Sequence, residues 1–217
     1  MRVTKIHPDK RAPSCLVIEL DGARFASVRP EVVQALSLEE EQELGQEHVD
    51  KLAYHADVEA SYRVATRMLA ARPRSVYEVL RRLKQRGHNP SAAAEAVGRL
   101  EAAGVLNDIE YAEHYARVRS AKGHGQPRLL ADLLSKGVEG RVAERAIERV
   151  LDAEGVDPME QARALAEKRV RQLGDLPREK LMRRVVTYLG RRGFRGREVV
   201  EMVGEVVQSD PARRGNE

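Results

Sequence analysis

Tryptophan is absent from this chain of 217 residues, phenylalanine occurs twice, and aromatic residues make up only 4% of it. Large rings dominate burial in compact cores, so a chain this poor in them has to build thin cores from Ala, Val and Leu. Stacked helices meet that description. The single cysteine, Cys15, excludes an internal disulfide and a cysteine-based metal cluster, and it fits a reducing compartment. Apolar runs long enough for a secretory signal or a membrane span are also missing, so a cytoplasmic protein with no membrane partner is expected.

Recognisable reaction chemistry is missing as well. The six histidines are His7, His48, His55, His88, His114 and His124, and no two share the short spacing of a metal pair on a helix. No Ser, Cys or His stands in a nucleophile motif, and the phosphate-loop pattern does not occur. The segment Lys122-Gly-His-Gly-Gln-Pro127 contains a GxG, but no strand precedes it and no Lys-Ser/Thr pair follows, so it reads as a turn. No catalytic, cofactor-binding or metal residues are expected, and no cofactor; the pattern argues against an enzyme.

What the chain does contain is a pattern used three times. When Gly87, Gly137 and Gly193 are superposed, a leucine stands four residues earlier in each copy: Leu83, Leu133 and Leu189. After each glycine the apolar positions fall at common offsets: Ala93, Ala96, Val97 and Leu100; Ala143, Ala146, Ile147 and Val150; Val199, Met202, Val203 and Val206. Offsets of three and four are helical spacing, so each copy reads as two helices with a glycine closing the first. His88, Val138 or Phe194 then supplies the contact that folds back on the preceding turn.

Local signals place the remaining elements. Val3 to Ile6, Cys15 to Leu20 and Ala23 to Val28 read as strands, with Asp21-Gly22 as a hairpin turn. Pro30 opens a short helix to about Leu36, and Ser37 with Glu40 forms a capping-box pattern for another turn or two. Helices are predicted over 56–71, 76–86, 90–103, 108–121, 128–136, 141–153, 158–173, 178–192 and 196–208. Ser75 with Glu78, Asn89 with Pro90, Asn107 with Glu110, and Asp157 supply their starts. In the helix from Asp108, Tyr111, Tyr115 and Val118 are expected inward. The two tyrosines could stack on a base, but core is the commoner fate of such a pair. The fold expected is mainly α: three tandem three-helix units in an elongated curved array, with a small N-terminal β ribbon. Residues 1–55 form an acidic β-containing extension, 56–104, 105–155 and 156–209 the three helical repeats, and 210–217 a disordered tail.

Net charge is only +4, yet it is unevenly spread. Between Glu31 and Ala60 nine acidic residues face the single Lys51, whereas between Arg178 and Arg197 eight basic residues face the single Glu179. The third unit holds the densest basic set: Lys168, Arg169 and Arg171, then Arg183 and Arg184, then Arg191, Arg192, Arg195 and Arg197. Arg184 and Arg191 lie two turns apart on one helix face. Arg81, Arg82 and Lys84 form a second cluster, and Lys122 with Arg128 flanks the middle loop. These residues are the candidates for contact with a polyanionic or acidic partner, single- or double-stranded DNA among them. A helix-turn-helix reader of base sequence fits poorly, because the second helices offer Glu144, Glu148 and Glu95 or alanine where base readout needs unpaired polar groups.

The chain resembles the RecX family, bacterial regulatory proteins that modulate the RecA recombinase. The resemblance spans about Tyr62 to Val207. It is carried by Arg72-Pro-Arg-Ser75 with Leu80, Leu83 and Gly87; Gly104-Val-Leu-Asn-Asp108 with Tyr111-Ala112; Lys122 to Leu134 with Lys136-Gly137-Val138; and Arg191-Arg-Gly-Phe194. Asn107 stands where the family usually has Asp; it caps a helix as well. The resemblance implies a non-enzymatic monomer that binds in the groove of the RecA-DNA filament and inhibits ATP hydrolysis and strand exchange or promotes disassembly. The alternative is a nucleic-acid-binding helical protein acting through its basic patches without a recombinase.

Overall fold

The structure, a computed structural model, describes residues 1–174 and 176–209, so the expectation for 210–217 lies outside the described residues. The described chain divides into two compact units, the second beginning at residue 108.

The first unit begins with three antiparallel strands in the order β1-β2-β3: β1 Val3–Pro8, β2 Leu16–Leu20 and β3 Ala23–Val28. Asp21 (φ 49°) and Gly22 (φ 80°) both take left-handed conformations, the turn whose twist suits a two-residue hairpin. Ile18 pairs with Ile6 on one side and Ala26 on the other, and Val3, Ile18, Leu20, Ala26 and Val28 share a core with Val49 and Leu52. A ribbon of three strands is marginal alone, and this one is covered by a helix.

After α1 (Pro30–Ala35) the capping box expected at Ser37 and Glu40 does not start a helix. Ser37 sits at φ 46°, and the Glu40 carboxylate instead accepts from the Ile6 N–H at 2.8 Å. The outer edge of β1 leaves that donor without a strand partner, and it competes successfully for the carboxylate. Helix α2 runs from Gln46 to Ala71, ten residues earlier than the predicted Ala56, and it is continuous across residues 55 and 56. Its early part packs Val49 and Leu52 on the ribbon; its late part packs Val64, Ala65 and Met68 on α3 (Val76–Gln85) and α4 (Pro90–Ala102). Glu59 is buried midway, accepting from Arg99 (2.6 Å) and ion-paired with Arg29 (3.2 Å). Ser75 and Glu78 form the complete capping box of α3, and the Asn89 side chain accepts from the Ser91 and Ala92 N–H groups at the start of α4.

The second unit holds α5 (Asp108–Ser120), α6 (Gln126–Ser135), α7 (Gly140–Ala153), α8 (Pro158–Leu173), α9 (Arg178–Arg191) and α10 (Arg197–Ser209). Tyr111 is buried as expected, but Val118 is not: it remains 38% exposed. Ala112 and Ala116 take the inward positions beside α7, where small side chains let two helices approach closely. Asp157 caps α8 through the Met159 and Glu160 N–H groups. Leu129, Leu133, Ile147 and Val150 fill one core, and Leu181, Val185, Leu189 and Val203 another.

The three hinge glycines have the same local geometry. Gly87, Gly137 and Gly193 lie at φ 84°, 76° and 96°. The next N–H donates in each case to the leucine carbonyl five residues back: His88 to Leu83 (3.3 Å), Val138 to Leu133 (3.2 Å), Phe194 to Leu189 (3.0 Å). The glycine N–H adds a second bond to the carbonyl three residues back: Gly87 to Lys84 (3.0 Å), Gly137 to Leu134 (2.9 Å) and Gly193 to Gly190 (3.3 Å). The two together make the double hydrogen bond that stops a helix when glycine takes the left-handed conformation. Val138 and Phe194 are buried as the matching apolar contacts, whereas His88 is held by the Asp57 carboxylate.

Candidate functional site

In the first unit, α3 turns Val79 and Leu83 into the core and so turns Arg81, Arg82 and Lys84 outward. Arg82 reaches only the neutral Gln85 (3.2 Å). Tyr77, 47% exposed and one turn before Arg81, belongs to the same surface and was missed in the sequence; spacing alone cannot distinguish it from a core tyrosine. An exposed ring beside cations can stack on a base or a guanidinium.

In the second unit the basic residues divide by what they touch. Lys168 and Arg171 stand exposed on α8, and Arg183, Arg184 and Arg191 on α9. Arg128 is paired with Asp132 (3.0 Å) and Arg197 with Glu201 (2.7 Å), each one turn away. Among the described residues, the other twelve candidate cations have no carboxylate within ion-pairing distance. Arg195 donates to the Gly190 carbonyl at 3.2 Å.

Arg192 has a different position. Its Nη1 donates to the carbonyl oxygens of Lys122 and Gly123, and the Gly125 N–H donates back to the Arg192 carbonyl at 2.8 Å. Lys122, Arg128 and Arg192 are thereby brought to one loop. The Tyr188 ring, also not foreseen, carries both Arg192 (4.7 Å) and Arg169 (5.3 Å) against its π system. His124 lies inside this cluster. Burial first, then the charge of Arg119, with Arg192 and Arg128 adding to it, holds its imidazole below the ordinary histidine range. Tyr115 donates to Asp132 at 3.1 Å with Arg119 and Lys136 over its ring, so it serves the packing rather than an open stacking surface.

Among the described residues no group of three or more His, Cys, Asp or Glu side chains is placed to hold a metal ion. No described helix is long and apolar enough to cross a membrane. The arrangement can bind a polyanion through exposed guanidinium and ammonium groups.

Residues 62–100, 107–147 and 156–199 match the first, second and third three-helix domains of RecX. The regulatory protein RecX of Amycolatopsis mediterranei is 34% identical over 128 residues, 58% of this chain and 71% of the relative. That of Halorhodospira halophila is 33% identical over 141 residues, 65% of this chain and 84% of the relative. A crystal structure of regulatory protein RecX superposes with a TM-score of 0.73 at 21% identity, covering 94% of this chain and 98% of that one. RecX from Lactobacillus salivarius gives 0.57 at 22% identity over 70% and 97%. These two likenesses concern the fold.

Proposed function

This chain belongs to the RecX family of regulatory proteins, and from that premise we propose that it binds in the groove of the RecA-DNA filament and lowers RecA ATP hydrolysis, strand exchange and filament stability. It acts by occupancy, as a cytoplasmic monomer, with no chemistry or cofactor of its own. The observation that carries this reading is the set Lys168, Arg171, Arg183, Arg184 and Arg191, exposed within one three-helix domain and without carboxylate partners among the described residues. Unpaired surface cations at this density favour a partner rich in phosphate or carboxylate. Arg81, Arg82, Lys84, Lys122 and the exposed Arg195 extend the filament contact, and Arg169 and Arg192 support it from the packed side.

A titration of this protein into RecA hydrolysing ATP on single-stranded DNA tests the reading. Hydrolysis is expected to fall at amounts well below one protein per RecA, and to stay low when excess DNA is added. The exposed Tyr77 beside Arg81 favours a second reading, direct nucleic-acid binding without a recombinase. Under that reading, excess DNA restores hydrolysis fully.

A further inference from the structure

The β ribbon and the later part of α2 form an open cleft of about 550 Å³ in the first unit. Four arginines line it: Arg11 and Arg24 from the ribbon side, Arg63 and Arg67 from successive turns of α2. Asp9 is the only acid among its lining residues, and it is already occupied. Arg24 Nη2 (2.8 Å), the Ser27 hydroxyl (2.5 Å) and the Arg11 backbone N–H (2.9 Å) all donate to its carboxylate. The Ser27 hydrogen bond leads in holding that carboxyl down to about 2, so it remains an anion matched to Arg24.

The charges of Arg11, Arg63 and Arg67 are left over. None has a carboxylate within ion-pairing distance among the described residues. Arg67 Nε reaches only the Arg63 carbonyl (3.3 Å), and Arg63 Nη1 is buried with no protein acceptor. Guanidinium groups that line an open cleft without a carboxylate partner are donors from which an arriving oxyanion can accept.

We propose that this cleft binds phosphate groups, with Arg11, Arg63 and Arg67 as the ligating side chains. A lone carboxylate would offset one of three positive charges, whereas a polyphosphate or adjacent phosphodiesters offset most of them. Guanidinium forks also match the oxygens of phosphate in pairs. The phosphate comes either from a nucleic-acid strand or from a free polyphosphate. This goes beyond the filament reading, because Asp9, Arg11 and Arg24 lie outside the segments matched by the three family domains.

The test uses the full chain without recombinase, measuring calorimetric binding of tripolyphosphate and fluorescence anisotropy with a labelled dT oligomer. Arg11 and Arg67 are both exposed, so R11A/R67A is expected to melt like the parent protein. It should bind tripolyphosphate at least about tenfold more weakly. The variant K5A/K51A removes the same charge elsewhere in the unit and should change affinity less than about twofold. If dT binding also weakens and its log-log salt slope flattens by about 1.4, the value for two lost phosphate contacts on a single strand, the source is a strand. Loss of tripolyphosphate binding alone identifies a free phosphate. If R11A/R67A matches K5A/K51A for both ligands, the proposal is overturned, while the filament reading stands or falls on its own assay.

Discussion

The guanidinium of Arg192 donates to the carbonyl oxygen of Lys122, seventy positions earlier in the chain. The end of α9 in the third domain is thereby seated on the loop before α6 in the second. Arg192 is thus part of the packing, unlike its neighbour Arg191, which is exposed. R192A is expected to cost about 2 kcal/mol, because charged donors leave two carbonyls and an aromatic face behind. R191A should fall within about 0.5 kcal/mol of the parent. Urea denaturation of the two variants measures the difference.

The hinge glycines should differ in tolerance although their hydrogen bonds match. A Cβ on Gly87 meets nothing within 4 Å, so G87A should cost about 1–2 kcal/mol for the left-handed backbone alone. A Cβ on Gly193 would lie 2.8 Å from the Arg128 backbone nitrogen. G193A should therefore cost clearly more than G87A, about 3 kcal/mol or above. Equal melting points for the two variants would contradict this account of the third hinge.

Glu59 should be the most sensitive acid of the first unit. It is buried between Arg29 and Arg99, and the Cys15 thiol donates to it at 3.8 Å. Removing it leaves two cations without their shared anion, but both stay partly open to water, so E59A is expected to cost about 2–3 kcal/mol. Faster proteolysis of the β ribbon, relative to the second unit, is the accompanying sign.

Two pH windows follow from two depressed groups. Asp9 sits at about 2, led by its Ser27 hydrogen bond, below the ordinary carboxylate value near 4. Its contribution is therefore complete above about 4 and is lost as pH falls toward 2; D9N should flatten that acid limb. His124 is also depressed, by burial first and then by Arg119. The folded chain disfavours its protonation, so its stabilising effect is complete above about 6.5 and is lost as pH falls through its lowered folded value. Melting of H124Q should depend less on pH from about 6.5 downward than melting of the parent.

The exposed cations should govern function without governing stability. R184E/R191E is expected to lower inhibition of RecA ATP hydrolysis at least about tenfold while the melting temperature stays within a few degrees. Unchanged inhibition would remove α9 from the contact surface.

Helix ends were legible because their causes are local. Ser75 with Glu78, Asn89 with Pro90, and the leucine-glycine pairs all act within a few residues, and each acts as its spacing predicts. The early half of α2 was hidden because Val49 and Leu52 face one core while Val64, Ala65 and Met68 face another, leaving no single apolar face to detect. The Ser37-Glu40 pattern failed because a donor 34 residues from Glu40, on an edge strand, took the carboxylate.

The basic surface was legible as composition, but its division was not. Arg128 and Arg197 lose part of their charge to acids four residues on, a spacing visible in the sequence. Arg192 binds backbone carbonyls of a distant loop, for which no side-chain pattern exists. The cleft is assembled from segments near residues 9, 24 and 63, each unremarked alone.

Binding of the labelled full chain to preassembled RecA filaments, compared at one salt concentration with binding to the same single-stranded DNA without RecA, tests the central claim most directly. Tighter binding to the filament, with R184E/R191E losing most of that difference, is the predicted result. Equal or weaker binding to the filament would contradict it.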